Sequence, residues 1–314
     1  MRGIELSKGY FEEYGRPLLE SEFADIFPYI AVGYVGSGSD RYGYDDEISQ
    51  DHDFEPGFCI FIPGENVIDR KRVFQLERAY AKLPKEYKGF TRQIMSPVGG
   101  NRNGVIEIED FYLKAVGSKD GNLSLEQWLT LPDYALAEAV NGQVYLDNYG
   151  EFTRIREIIM DMPRDIRLKR IAGNLLIMAQ AGQYNYTRCL KHGEIEAAQI
   201  ACNEFVDAAL KASFLLQSKY MPYYKWSFRA LSQLEDSQEL TELLSYLLMS
   251  DHRAENIAKK KYAAIENVAT YMIVQLNKYG LTKAICGDLE KHAYSVNDKI
   301  DDGKIRNMNI LAAI

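Results

Sequence analysis

The sequence predicts an α+β protein with two regions of different texture, and three observations carry that prediction. Short apolar runs bounded by glycine or proline mark strands in the first half. From residue 150 onward, apolar residues recur at three and four positions, the spacing of amphipathic helices. The chain has 314 residues, 46% hydrophobic and 12% aromatic, enough to close one large or two modest cores. A charged fraction of 26% beside so many aromatics excludes a disordered chain. The expected domains are residues 1–149 and 150–314.

Strands are expected at residues 30–35, 58–62 and 105–108, with a further one at 144–146 after the Asn141-Gly142 turn signal. Between the second and third lies a helical pattern over 70–83, with Val73, Phe74, Leu76, Tyr80 and Leu83 on its buried side. Ser124 with Gln127 forms a capping box that starts a short helix at Leu125. In the second half Leu168, Ile171, Leu175 and Met178 share one helix face, and Val206, Leu210 and Phe214 share another. Ala258, Tyr262, Ile265, Ala269, Met272 and Leu276 form a third stripe. Mutual packing in a bundle is the simplest account of these stripes. Breaks are expected at Gly182, Gly193, Met221-Pro222 and Gly280.

The formal charge is −8 and the pI is near 5.2. Residues 1–150 hold 15 basic and 25 acidic side chains, and the remainder 22 and 20. That balance argues against an extended nucleic acid as partner, because phosphates demand a strongly basic face. No apolar run reaches the roughly 18–20 residues of a membrane span, and Met1–Lys8 lacks the pattern of a signal peptide. Cys59, Cys189, Cys202 and Cys286 show neither disulfide density nor zinc spacing. A cytoplasmic protein without membrane contact is expected.

The chemistry concentrates between Gly36 and Phe54. Gly36-Ser37-Gly38-Ser39-Asp40-Arg41-Tyr42-Gly43 follows a strand, so backbone N–H groups and a hydroxyl can approach a phosphate closely. Asp51 and Asp53 come next, and in an extended segment side chains two apart face one spot. Paired hard oxygen donors are what Mg²⁺ accepts while bridging to substrate phosphates. A third acid from a neighbouring strand would complete a two-metal clamp. Glu107 and Glu109 are the candidates, expected on one face of the third strand, with Glu107 preferred because Glu109-Asp110 reads as the acidic start of a helix. A Gly/Ser/Asp-rich stretch is more often a solvated loop. The order strand, glycine-serine turn, paired aspartates, then an acid on a later strand is much rarer.

This arrangement resembles the polymerase-β-type nucleotidyltransferase superfamily, including its minimal and aminoglycoside members. The longer string Gly38-Ser39-Asp40, Gly43, Asp45-Asp46-Glu47, Ser49 and Asp51-His52-Asp53 resembles a bacterial family of unknown function assigned to that superfamily. Residues 147–156 leading into a helix, and Pro222-Tyr223-Tyr224-Lys225-Trp226 with Arg229, fit it too. The resemblance is strongest over residues 30–62. It implies a nucleotidyltransferase-like mixed sheet flanked by helices, then an all-α domain that helps close the cleft. Mg²⁺ or Mn²⁺ and a nucleoside triphosphate, ATP by default, are the implied cofactor and co-substrate. Asp51, Asp53 and Glu107 would be the metal-binding and catalytic acids, with Gly38, Ser39, Gly43, Arg41 and Lys225 on the nucleotide. One departure is Phe54-Glu55-Pro56-Gly57, which delays the strand after the second aspartate.

Several residues admit two readings. Arg41 either reaches phosphate oxygens or is a surface arginine paired with Asp40 or Asp45. Asp45-Asp46-Glu47 either attracts a cationic acceptor or is a solvated loop. Tyr224 or Trp226 could stack a base, or the aromatics could fill an interface between helices. His252 and His292 read as surface or cap residues, and His52 as support for the aspartates. Small-molecule, protein and RNA-end acceptors all remain open, and the apolar tail at 310–314 leaves room for a homodimer. The alternative to an enzyme is a regulatory or interaction module that keeps the fold and nucleotide binding without turnover.

Overall fold

The computed structural model describes residues 1–47, 54–92, 102–251 and 255–314. The chain divides into two compact units, residues 1–124 with 135–161, and residues 125–134 with 162–314.

The first unit is built on strands β1 (Ala31–Tyr34), β2 (Cys59–Ile62), β3 (Glu86–Tyr87), β4 (Phe90–Thr91), β5 (Gly104–Glu107) and β6 (Gln143–Asp147). β3 and β4 pair as a separate ribbon, and the other four form one sheet in the order β5-β2-β1-β6. β1 runs antiparallel to β2 and β6, whereas β2 and β5 are parallel. All four strands expected from sequence are therefore in one mixed sheet. Every residue of β1 and β2 is buried, which is why these strands read as continuous apolar runs and not as alternating ones. Ile30, Val32, Ile60 and Ile62 pack against Leu6, Tyr10, Leu76 and Tyr80. Phe61 points to the opposite face, stacked on Phe152 at 4.1 Å and edge-on to Phe111 at 5.2 Å. Helices Ile108–Val116 and Glu151–Met160, which carry these partners, thus cover the second face. At Gly33 the pairing with β6 shifts register, and a Cβ there would come 2.7 Å from the carbonyl oxygen of Gln143.

Three details differ from the sequence reading. Helices Gly3–Tyr10 and Arg16–Glu22, joined by a π-helical turn, supply Leu6, Tyr10, Phe11 and Leu19 to the core and had not been read from the sequence. On helix Arg70–Ala81, Leu76 and Tyr80 are buried but Phe74 is 56% exposed. Two residues from Leu76, Phe74 is rotated about 200° around the helix and cannot share its face. The strand reading of Glu109 also fails, because β5 ends at Glu107 and a helix begins at Ile108.

The described regular elements of the second unit are all helices. Its longest members, Ile195–Leu216 and Ile257–Lys278, have 22 residues each. Gly182 does not break its helix: a π-helical stretch, Ala179–Tyr186, continues through it, and a Cβ there would overlap the Phe205 ring. His292 is wholly buried between the Thr282 hydroxyl and the Cys286 carbonyl, each 2.8 Å away, which corrects its reading as a surface or cap residue. His252 lies outside the described residues. The apolar tail packs on its own chain, with Ile314 and the carbonyl of Ile310 against Gly173. Buried Lys169 ties that region down by donating to Asn297 Oδ1 (2.9 Å) and to the carbonyls of Arg306 (3.3 Å) and Met308 (2.8 Å). Among the described residues, no helix is long and apolar enough to cross a membrane.

Candidate functional site

The candidate site grows from the turn that ends β1. Gly36 and Gly38 have φ of 102° and 126°, and Gly38 has ψ of 146°, a backbone conformation open essentially to glycine alone. A Cβ on Gly38 would overlap Arg102 Nη2 and Asp40 Oδ1. Absence of a side chain is thus demanded by both the backbone and its neighbours. Ser39 starts a short helix, Ser39–Tyr42, which Gly43 ends in the left-handed conformation at φ 68°.

A buried charge network fixes this turn. Arg102 Nη2 donates to the Ser37 carbonyl and to Asp40 Oδ1, each at 2.8 Å. Asp40 Oδ2 accepts from the Tyr34 hydroxyl and from Arg41 Nη1 at 3.2 Å. Arg41 Nη2 donates to the Arg102 carbonyl (3.0 Å) and to Asn103 Oδ1 (2.9 Å), and its guanidinium lies 3.3 Å over the Tyr34 ring. Burial raises the Asp40 carboxyl above its usual range despite Arg102, and pulls Arg41 down to about 9. Loss of water is the largest cause of both shifts, and the hydrogen bonds around Asp40 and Arg41 hold the turn in one geometry. At neutral pH Arg41 remains charged.

The two readings of Arg41 are thereby resolved. Its side chain is 1% exposed and its fork is engaged inside the fold, pairing with Asp40. It is neither the phosphate ligand nor the surface residue of the sequence readings. The cation that reaches the surface beside Gly38 is Arg102, with a quarter of its side chain exposed. Sequence reasoning missed it, along with Asn141. The Asn141 side chain exchanges two hydrogen bonds with the Gly36 backbone, at 2.8 and 2.7 Å, and Arg156 donates to the main-chain carbonyl of Asn141 at 2.7 Å. The Asn141-Gly142 turn signal was the one trace of it in the sequence.

Register decides where the acids stand. Gly33 at the end of β1 pairs with Cys59 at the start of β2, which pairs with Gly104 at the start of β5. The glycine turn and the chain leading into β2 are therefore at one end of the sheet. Phe54, near Gly3 as Asp40 is, begins the described chain on the β2 side. Asp51 and Asp53, with His52, lie outside the described residues. Glu107 pairs with Ile62 at the far end of the parallel strands. At about 3.3 Å per residue it stands about 13 Å along β5 from Asn103, so the structure does not bring it to the turn. Its carboxyl is raised by partial burial and then by Asp110, Glu65 and Glu109, while Glu109 is paired with Lys119 at 3.0 Å. Two other carboxylates are half-buried. Glu55 accepts from Asn103 Nδ2 at 3.2 Å, and Glu138, raised by burial, lies in the field of Arg102. Lys225 belongs to the second unit, exposed in the 3₁₀ turn Tyr224–Trp226.

Residues 128–227 match a family described as a domain of unknown function, DUF4037. The match takes in residues 147–156 and Pro222–Trp226 but not the glycine turn, where the sequence resemblance had been strongest. No curated protein matches the chain. A solved structure described as a nucleotidyltransferase-like protein from Exiguobacterium sibiricum 255-15 is similar over 86% of this chain and 78% of its own, at 12% identity and a TM-score of 0.38, a level that carries no argument.

Proposed function

We propose that the chain is a Mg²⁺-dependent nucleotidyltransferase, moving a nucleoside monophosphate (AMP by default) from an NTP to a hydroxyl or amine acceptor. The supporting observation is the turn at Gly38, rigidly held and bare of side chain, at the same end of the sheet as the chain that leads from Asp51 and Asp53 into β2. In this reading Gly38 lets the main chain approach a phosphate and Ser39 contributes a hydroxyl donor. Asp51 and Asp53 provide the hard oxygen donors that Mg²⁺ or Mn²⁺ accepts, and the bound ion would neutralise phosphate charge. Arg102, at the surface beside Gly38, takes the phosphate role expected of Arg41. Glu138, with its carboxyl raised by burial, is suited to accept the acceptor's proton. As the acceptor atom bonds to the α-phosphorus, the bond to the bridging oxygen breaks and pyrophosphate leaves with that electron pair.

Calorimetric titration of nonhydrolysable analogues of the four NTPs, with Mg²⁺, into wild type and Asp51→Asn/Asp53→Asn tests this. Metal-dependent binding of one analogue, lost in the double variant, is the expected result, followed by labelled α-phosphate appearing on an acceptor. Absence of binding by all four overturns the reading. The distance of Glu107 from the turn favours a second reading, a nucleotide-binding module without turnover. Binding unaccompanied by transfer to any acceptor would select it.

A further inference from the structure

A cavity of about 340 Å³ opens in the second unit where helices Ile195–Leu216 and Ile257–Lys278 end beside helix Arg164–Met178. That volume is in the range of small-molecule sites. Ile171, Leu215, Leu216 and Leu281 form an apolar wall, and Arg167, Lys219 and Glu235 line the same space. Arg167 stands one helical turn before Ile171, so both lie on one face of their helix. The two helix ends close alike, Lys219 N donating to the Phe214 carbonyl at 2.9 Å and Leu281 N to the Leu276 carbonyl at 2.7 Å. This closure puts one residue in the left-handed conformation, Gly280 at φ 64° in one case and Ser218 at φ 54° in the other. Serine is strained where glycine is not, and here its hydroxyl accepts from Arg167 Nη1, which holds the arginine at the cavity. Gln217 holds the Glu235 main chain, Nε2 donating to its carbonyl at 2.9 Å and Oε1 accepting from its N–H at 3.1 Å.

Among the described residues Arg167 and Lys219 pair with no carboxylate, and Glu235 pairs with no cation. Lys278, whose field reaches Glu235, is itself paired with Asp236 at 2.8 Å. A cation at a helix end is ordinary, since it meets the negative pole of the helix. Opposite charges that line one cavity without meeting each other are not, and they leave both signs to a ligand. We propose that this cavity binds a small zwitterion with an apolar body, the chemistry shared by a free apolar amino acid and a short apolar peptide. The ligand carboxylate lies against the Arg167 fork and Lys219, its ammonium against Glu235, and its apolar body against the wall of Ile171 and the leucines. A plain anion would be repelled by Glu235, and a plain cation would face two like charges. The site is complete within the second unit and does not depend on the transfer reaction.

The test is saturation-transfer NMR titration of L-leucine, L-phenylalanine and L-leucyl-L-leucine with the full chain, with neither metal nor NTP present. At least one binds, and which one does so tells a free amino acid from a peptide. The binder's N-acetyl form, without the ammonium, and its C-terminal amide, without the carboxylate, each bind about 10- to 150-fold more weakly. Arg167→Met weakens the zwitterion by a similar factor but leaves the amide unchanged, and Glu235→Gln weakens it but leaves the N-acetyl form unchanged. Binding of none of the three zwitterions overturns the proposal. So does a binder whose two capped forms bind as tightly as it does, a comparison made on wild type alone. Unchanged affinity in both Arg167→Met and Glu235→Gln overturns it too, because the ligand then sits elsewhere. Failure here leaves the transfer reading standing, and failure of NTP binding leaves this result standing.

Discussion

Replacing Gly38 by alanine tests the central claim that the turn is held open by a charge network. Gly38 sits at φ 126° and ψ 146°, where a residue with a Cβ incurs about 1–3 kcal/mol of strain. The new methyl would overlap Arg102 Nη2 and Asp40 Oδ1. Arg102 must then leave its 2.8 Å contacts to Asp40 and the Ser37 carbonyl, a loss of about 1.5–3 kcal/mol for hydrogen bonds to a charged group. The total is about 3–6 kcal/mol, a large share of ordinary domain stability. Gly150→Ala is the control: φ is 79° and nothing lies within 4 Å of its Cβ, leaving only a left-handed cost of about 1–2 kcal/mol. Both tryptophans, Trp128 and Trp226, belong to the second unit, so their fluorescence would report the wrong half. Hydrogen exchange of peptides spanning β1 and β2 reads the right one. At about 1.4 kcal/mol per tenfold, Gly38→Ala should speed their exchange about 10²- to 10⁴-fold, and Gly150→Ala about tenfold. Should Gly38→Ala speed exchange no more than Gly150→Ala, the network does not hold the turn. Adding Arg102→Ala to Gly38→Ala should recover part of the loss, since the clashing group is then gone.

Arg41→Met should destabilise the first unit by about 3–5 kcal/mol in the same exchange assay, because it strips a buried Asp40 of one partner. Asp40→Asn added to it should reduce that cost, and an additive pair of losses would contradict the pairing. Asp120 accepts from Asn122 Nδ2 (2.7 Å), Asn122 N (3.0 Å) and Ser118 Oγ (2.9 Å), and these bonds lower its carboxyl to about 2. Since the folded value lies below the unfolded one, the turn's stabilisation is complete above about pH 4 and is lost as pH falls through about 2. NMR titration of its side-chain carbon should show that midpoint, and one near 4 would mean that the turn does not form.

Legibility followed burial. The runs at residues 30–35 and 58–62 could be read as strands because both faces of β1 and β2 are covered, so the apolar signal is continuous. The stripe through Ile265, Met272 and Leu276 could be read as a helix because its interior side is wholly buried. The two N-terminal helices passed unread, since the π-helical turn at Phe11–Gly15 shifts the phase of their apolar residues. Gly182 looked like a break because its missing side chain serves a packing partner 23 positions away, Phe205, which local sequence does not reveal.

The candidate site divides along the same line. A glycine turn after a strand is a local event, and local chemistry suffices to see it: Gly36, Gly38 and Gly43 all take positive φ. Which charges surround that turn is a matter of strand order and direction. Arg102 and Asn141 reach it from segments 62 and 105 residues away. Arg41 looked free in sequence because nothing nearby announced the acceptors at Arg102 and Asn103 that enclose it. Glu107 looked well placed because residue type and strand membership are local, whereas its end of the strand is set by a parallel register to β2. Composition and periodicity by themselves determined the α+β class, the strand positions and the helical second half, since these follow from how each segment buries its own apolar side chains. Which polar groups meet was decided only by tertiary structure, because strand direction, register and long-range hydrogen bonds depend on partners far along the chain.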